Sequence, residues 1–485
     1  MVFSSLDFIF RFMPIFLIIY FITPDKRIGK TSVKNIVLFL GSLVFYAVEE
    51  PIYVLLLLAL VVVNYVLALS FERDYGKENY RIRRKILFAF SLILDIGVLF
   101  FFKYADFVIL QINTVLSYLS VAVGADLGLI RYVAPKMPIG ISFYTFQMIS
   151  YMVDVYYRRY VPEKSFVDLG AYMTMFPQMI AGPIIRYPEV REALKSRSVK
   201  PLAFDRGLKV FLFGLGFKVL IANQLSVLWS DIERIGYESV STPLAWLGAF
   251  SYSFQIYFDF LGYSLMAIGL GTMLGFRIPE NFRDPYASRS VTEFWQRWHM
   301  TLGRWFREYV YFPLGGSRCS KGKMIRNLLV VWMLTGIWHG SGWNFILWGF
   351  GLFLMIALEK LFLKKYLDKW VIFSRIYMWC WIPVSWVVFA ITDTERLLVY
   401  LSRMFPWLLR VEMNSNVNSG DIIRYGKSYL PVLLAAVLFS IPAVRRRLML
   451  LRKKKAGAVL AFLIFVLSVY CLSAGLDNPF LYYQF

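Results

Sequence analysis

Histidine, cysteine and charge are the scarce features of this sequence. Its 485 residues include two histidines, His299 and His339, and three cysteines, Cys319, Cys380 and Cys471. Three scattered thiols cannot build a disulfide framework or a cysteine-rich metal site, so each reads as a free thiol among apolar neighbours. Charged residues make up 17% of the chain, 59% is hydrophobic, and the mean hydropathy is +0.58. An average soluble domain is about 25% charged. Soluble domains of ordinary size cannot hide this much apolar surface, which excludes a soluble enzyme, a disordered tail and a small secreted scaffold. A polytopic membrane protein remains, and the expected fold is all-α.

The charge that is present is one-sided: 53 Lys and Arg stand against 31 Asp and Glu, a formal net charge of +22. Lys and Arg concentrate in cytoplasmic loops. The basic loops fall at residues 25–34, 72–85, 158–164, 186–209, 277–326, 360–375 and 445–455, and the other connections are neutral or acidic. Placing the basic set inside predicts crossings at 6–23, 33–49, 51–71, 86–104, 137–157, 208–228, 243–275, 376–392, 428–444 and 456–475. That path has ten crossings and puts both ends of the chain outside. The first is expected to be a retained span rather than a cleaved signal. Residues 1–5 carry no positive charge, and Asp7, Arg11 and Pro14 interrupt the apolar run. The whole chain, 1–485, is expected to form a single integral-membrane domain.

Two apolar stretches, near 166–185 and 327–364, begin and end in basic sequence and so are expected to be re-entrant. The first contains Pro177, Gly182 and Pro183, which break a helix. Broken backbone at membrane depth is tolerated only against protein or a water-filled cavity, so a cavity is expected beside both. His339 lies ~13 residues beyond Arg326, which places it roughly 20 Å deep in a ~30 Å core. Gly340-Ser341-Gly342 follows as turn sequence. An ionisable group at that depth is a candidate functional residue, although a neutral histidine bonding between helices would also fit.

The other histidine lies in the basic region 277–326, within EFWQRWHMTLGRWFREYVYFPLGG. Trp295, Trp298 and Trp305 alternate there with Arg297, Arg304 and Arg307, and apolar residues recur at helical spacing. The pattern predicts one amphipathic helix at the cytoplasmic interface. Interfacial anchoring accounts for the tryptophans and arginines but not for His299. Seven of the fourteen tryptophans fall between Trp295 and Trp348, around both histidines. An aromatic, water-poor setting suits an imidazole tuned for general-base work. Two histidines without nearby carboxylate pairs do not make a metal site, so none is expected. Asn64, Asp95, Gln147, Asp154, Gln178, Gln255 and Asp259 are polar groups within spans, for which bonding between helices is the ordinary role. Gln255 and Asp259, one turn apart on α-helical spacing, are the strongest candidates to orient a group in the cavity. Trp298, Trp305, Trp338 and Gln178 complete the expected tunnel lining.

FWQRWHMTLGRWFREYVYFPLGG (294–316) is followed by TGIWHGSGWNFILWG (335–349), whose histidine comes forty positions after the first. Together these motifs resemble the membrane-bound O-acyltransferase (MBOAT) family, and within it the branch of alginate O-acetyltransferase membrane subunits. GSLVFYA (41–47), FKYADF (102–107), PIGISFYTFQMISYMVDVY (138–156), FPQMIAGPIIRY (176–187), QIYFDF (255–260), GFRIPENF (275–282) and NPFLYYQF (478–485) extend the resemblance over almost the whole chain. His339 matches the family's invariant histidine, regarded as catalytic, and His299 its second conserved polar position. The resemblance implies a ring of about ten transmembrane helices, with re-entrant and interfacial helices, around a central tunnel. It also implies that an acyl group is taken from a cytoplasmic thioester and delivered outside, to a surface polysaccharide or an extracytoplasmic partner. The sequence departs from the acetylating branch at FLGYSLMAIG, with Leu261 and Leu265, and at Arg307-Glu308-Tyr309. Leu265 and His299-Met300 look more like the branch that transfers D-alanine to lipoteichoic acid.

The mechanism expected from these residues is acyl transfer. His339 accepts the proton of the attacking hydroxyl, and His299 assists in binding or polarising the thioester. The basic face would attract an anionic donor, either acetyl-CoA or an acidic acyl-carrier protein, with Arg297, Arg304, Arg307 and Lys321 as contacts. No permanently bound cofactor and no nucleic acid are expected, and the location expected is a bacterial plasma membrane. A transporter or flippase would carry internal repeats with matching broken helices. None is visible in the sequence.

Overall fold

The computed structural model describes residues 2–73, 79–409, 420–475, 478 and 481. Part of the basic loop 72–85 and most of the motif 478–485 lie outside the described residues. The chain packs as two compact units. The first comprises Pro14–Arg197 with Gly340–Gly342; the second comprises Val2–Met13, Ser198–His339 and Trp343–Phe485.

The first unit is built from α1 (Met13–Ile22), α2 (Val33–Glu49), α3 (Tyr53–Ser70), α4 (Tyr80–Val123), α5 (Ile141–Tyr156), α6 (Phe166–Thr174), α7 (Phe176–Met179) and α8 (Tyr187–Lys195). A short antiparallel hairpin, β1 (Arg27–Ile28) and β2 (Thr31–Ser32), precedes α2. The stretch 166–185 is broken as its prolines require: α6 stops at Thr174, α7 is one turn long, and almost all of it is buried. The Phe176 N–H at the break donates to Ser42 Oγ (3.1 Å), which gives the interrupted backbone an alternative partner. A buried network secures the basic end of this unit. Asn35 donates to Asp168 (2.7 Å), and Arg197 donates to Asn35 (2.6 Å) and to the Tyr20 hydroxyl (2.7 Å).

The second unit contains α9 (Pro201–Gly216), α10 (Asn223–Ile235), α11 (Thr242–Met273), α12 (Val291–Arg297), α13 (Met300–Phe306), α14 (Lys321–His339), α15 (Trp343–Leu358), α16 (Lys364–Lys369), α17 (Val371–Ala390), α18 (Thr394–Met404), α19 (Asp421–Ser440), α20 (Pro442–Leu451) and α21 (Lys455–Ser473). Its axis is the long helix α11, buried along most of its length against α9. The two backbones nearly touch at Gly207–Gly269 and Gly214–Gly262. A Cβ added at any of the four would come within 2.6–2.7 Å of the facing carbonyl oxygen. Small residues at seven-residue spacing are what close helix packing in a membrane requires. A π-turn, Phe217–Ala222, follows α9 and carries Lys218 inward. Lys218 Nζ meets Asp259 Oδ1 of α11 at 2.7 Å, with both side chains 2% exposed. It also donates to Asn223 (2.7 Å), Asn223 donates to Asn478 (3.1 Å), and Asn478 donates to the Ser4 carbonyl (3.0 Å). The Leu481 N–H supplies the second Asp259 oxygen (3.0 Å). A buried ion pair therefore ties together residues from both ends of the described chain.

Eight helical segments of the described chain are long and apolar enough to cross a membrane: 53–70, 80–123, 201–235, 242–273, 343–369, 371–390, 421–440 and 455–473. The protein is thus a multi-pass membrane protein. Several expectations need correction. α2 and α5, with 17 and 16 residues, lie at the short end of what a span requires, and Phe8–Ile22 is a shorter apolar helix. The expected crossing 86–104 is part of a 44-residue helix, α4, roughly 66 Å long at 1.5 Å per residue. The segment 327–364 is a full helical hairpin. Its second leg is an apolar helix that runs 27 residues to Lys369. Outward faces of α19 (Leu434, Val437, Leu438) and α21 (Phe462, Leu463, Val466) are exposed and apolar, as lipid contact requires.

Breaking a buried pair from one side leaves an uncompensated charge, which costs about 3–5 kcal/mol, whereas replacing both partners by apolar residues is far less harmful. Lys218→Met and Asp259→Leu should each lower the unfolding midpoint in detergent strongly, and the double variant should recover much of the loss. Additive losses in the double variant would show that the two side chains do not act as a pair.

Candidate active site

The His299 motif is not the single amphipathic helix that its periodicity predicts. α12 ends at Arg297, Trp298 is extended, and His299 takes a left-handed backbone (φ 43°) before α13 starts at Met300. Non-glycine residues seldom adopt that region, and when they do the surroundings must enforce it. The neighbouring segment supplies the enforcement. The Met300 N–H donates to the Asn281 carbonyl and the Arg283 N–H to the Arg297 carbonyl, both at 2.9 Å. The Asn281 side chain then reaches the histidine: its Oδ1 lies 3.2 Å from His299 Nδ1 and accepts from the Thr301 N–H (3.2 Å) and hydroxyl (2.9 Å).

The start of α12 is anchored by Glu359, which is 2% exposed at the end of α15. Its carboxylate accepts from the Val291 N–H (2.6 Å), the Thr292 N–H (2.9 Å), the Thr292 hydroxyl (2.6 Å) and the Tyr377 hydroxyl (3.0 Å). A carboxylate at a helix N-terminus satisfies N–H groups that have no intrahelical acceptor and complements the helix dipole. No sequence pattern marks Asn281 or Glu359 as a partner of this segment. The motif PENF holds the first, but nothing local links the second to a segment 68 residues away.

His339 is the last residue of α14, followed by the Gly340-Ser341-Gly342 turn. Gly336 and Gly349 bring α14 and α15 into backbone contact: a Cβ on Gly336 would lie 2.4 Å from the Phe345 carbonyl oxygen. The imidazole, 3% exposed, packs edge-on against Trp338 and Trp348 (ring centroids 4.8 Å each) and Phe389 (5.5 Å). Its Nδ1 lies 2.7 Å from the Thr335 carbonyl oxygen. A carbonyl can only accept, so Nδ1 carries the hydrogen and the neutral ring keeps its lone pair on Nε2.

Both histidines face Trp338, whose ring centroid is 6.2 Å from that of His299. Trp295, Trp298, Trp348 and Trp386 pack into one aromatic cluster beside them. Trp386 and Phe389 of α17 belong to this cluster although the sequence offers no sign of it. Burial holds the His299 pKa well below the ordinary histidine value, and the nearness of His339 depresses it further. His299 is therefore neutral at pH 7. A cavity of about 350 Å³ opens against it, lined by Trp298, Arg304, Arg307, Thr335 and Lys360 among others.

Not every expected site residue lines that cavity. Trp298, His299, Arg304 and Arg307 do; His339 and Trp338 do not, and they pack against each other in the aromatic cluster. Arg297 is paired with Glu293 (2.5 Å), Lys321 begins α14, and Trp305 packs on Tyr309 (5.3 Å). Gln255 is buried within α11, and Asp259, expected to orient a group in the cavity, is committed to Lys218 and the Leu481 N–H. Gln178 belongs to the first unit, where its amide donates to the Tyr172 carbonyl (2.7 Å). Among the described residues, no three of His, Cys, Asp and Glu converge on a common point.

Residues 160–402 match the membrane-bound O-acyltransferase family (MBOAT), and the chain belongs to it. The protein is an O-acyltransferase. It is 33% identical to "Probable alginate O-acetylase AlgI" of Azotobacter vinelandii, over all of both chains. It is 32% identical to the peptidoglycan O-acetyltransferase of Helicobacter pylori over 83% of this chain and 80% of that one. Over 50% of this chain and 61% of the relative, it is 27% identical to the teichoic acid D-alanyltransferase of Bacillus subtilis.

Glu359→Ala would leave two backbone N–H groups and two hydroxyls at the start of α12 without their acceptor, costing about 1–3 kcal/mol. The variant should melt below wild type in detergent and turn over more slowly, while Glu359→Gln, which keeps one acceptor oxygen, should fall between. A Glu359→Ala protein as stable and active as wild type would show that this anchor does not position the His299 segment.

Proposed function

We propose that the protein transfers an acetyl group from a cytoplasmic thioester, across the core of a bacterial plasma membrane, for O-acetylation of an exported polysaccharide. The observation that carries the reading is the Nδ1 contact of His339 to Thr335, which leaves Nε2 as a base within a buried aromatic cluster. His339 Nε2 takes the proton of the acceptor hydroxyl as its oxygen attacks the thioester carbonyl carbon. The C–O bond forms, the C–S bond breaks, and the imidazolium returns the proton to the departing thiolate. General-base assistance of this kind is worth roughly 10²–10⁴-fold in rate.

Three cationic side chains on the cavity wall, Arg304, Arg307 and Lys360, suit an anionic donor such as acetyl-CoA. The seven basic loops favour the same side for the donor, since they orient the chain with that face inward. The names of the relatives, alginate O-acetylase and peptidoglycan O-acetyltransferase, support an acetyl group and a polymeric cell-surface acceptor. An extracytoplasmic partner could complete the delivery. A second reading, D-alanyl transfer from an acyl-carrier protein to a teichoic-acid-type acceptor, is favoured by Leu265 and His299-Met300 and by the D-alanyltransferase relatives.

Purified protein offered labelled acetyl-CoA and, separately, a labelled acyl-carrier protein distinguishes the two. Consumption of the acetyl-CoA label is expected, and His339→Ala should reduce it at least about 100-fold while the protein stays folded. Consumption of the carrier label alone would establish the second reading. Full turnover by His339→Ala would remove His339 from the mechanism.

A further inference from the structure

The contacts of His299 determine which of its ring nitrogens bears the hydrogen. Asn281 is fully buried, and its amide cannot be turned round, because the Thr301 backbone N–H donates to it (3.2 Å) and needs an oxygen there. The Thr301 hydroxyl donates to the same atom (2.9 Å), and the Asn281 Nδ2 group donates to Ser264 Oγ (3.3 Å). The oxygen end therefore faces His299 Nδ1 at 3.2 Å. A bare nitrogen there would set lone pair against lone pair, whereas an Nδ1–H donates.

We infer that Asn281 is a positioning residue for the transfer reaction, holding His299 in the Nδ1–H tautomer so that Nε2 presents a lone pair. The consequence is a specific one. Neutral His299 has no Nε2 hydrogen with which to polarise a thioester carbonyl; instead it accepts a hydrogen bond from an O–H or N–H of a substrate in the cavity. His339 carries its hydrogen on the same nitrogen, through the Thr335 carbonyl. Both rings thus present acceptor nitrogens, and burial keeps His299 neutral to do so. The left-handed backbone at His299 serves the same end: the Met300 N–H bond to the Asn281 carbonyl holds the imidazole over the amide of that same residue. The inference rests on the acyl-transfer reading only for its catalytic consequence, not for the tautomer.

A protein with two histidines makes the test direct. Full-length protein labelled with ¹⁵N at its histidine rings should show two imidazole patterns, each with a protonated Nδ1 and a bare Nε2. The His339→Ala sample identifies the pattern of His299. Asn281→Leu should move the His299 pattern toward the Nε2–H form and leave that of His339 unchanged. Asn281→Asp keeps an acceptor oxygen and should preserve the wild-type tautomer. In the acetyl-transfer assay, Asn281→Leu should lose about tenfold in kcat, the worth of one hydrogen bond to a buried group, with the donor KM little changed. A wild-type His299 protonated on Nε2 would overturn the inference without recourse to any variant. An unchanged pattern in Asn281→Leu would overturn it as well. A shifted pattern with undiminished turnover would overturn the positioning role of Asn281 in the transfer reaction.

Discussion

Four donors converge on the buried carboxylate of Glu359, and the geometry around His299 depends on that convergence. The motif segment is short and interrupted at Trp298 and His299, which leaves each half too short to be stable by itself. α12 is held at its start by a charge from α15, and its end is turned back by backbone bonds to residues 281–283. Between these two restraints, Trp298 and His299 have little choice of direction. Trp298 enters the aromatic cluster and His299 is laid over Asn281. An alternating pattern of Trp and Arg at a membrane interface is ordinary. The interruption that turns one histidine inward is not, and it requires support from outside the segment.

The Lys218–Asp259 pair does for the second unit what Glu359 does for the motif. Ions so deeply buried are retained only when paired and hydrogen-bonded. Here the pair also fixes Asn223, Asn478, Ser4 and the Leu481 N–H. The π-turn that delivers Lys218 sits between α9 and α10, beside the glycine seam where α9 and α11 touch. Close helix approach, an extra residue in the helical turn and a buried charge are therefore parts of one arrangement. Asp259 is committed to that arrangement and does not line the cavity beside His299.

Much of the architecture can be read along the chain because hydropathy, basic loops and prolines are local signals. The starts and ends of α2, α3 and α21 agree with the expected spans to within a few residues, and the Pro177–Pro183 stretch breaks where its prolines predict. Failures occur where a local signal is ambiguous. Residues 105–123 are apolar yet continue α4 rather than ending a crossing, and the periodic motif 293–316 reads as one helix although tertiary bonds break it. Asp259 and Gln255 share a helical face, which is visible in the sequence. Which partner that face meets is not.

From the sequence alone, composition determines a membrane protein, and the placement of two histidines among seven tryptophans picks out the candidate site. Those are properties of residue type and spacing, and spacing along a helix carries them. Only the tertiary structure decides that Asn281 lies under His299, that Glu359 anchors α12 from 68 residues away, that Trp386 and Phe389 close the aromatic cluster, and that Asp259 belongs to Lys218. A hydrogen bond needs its two atoms about 3 Å apart with the right hydrogen between them. No pattern along a chain states which distant atoms will meet that condition, and the protonated nitrogen of an imidazole follows from those atoms alone.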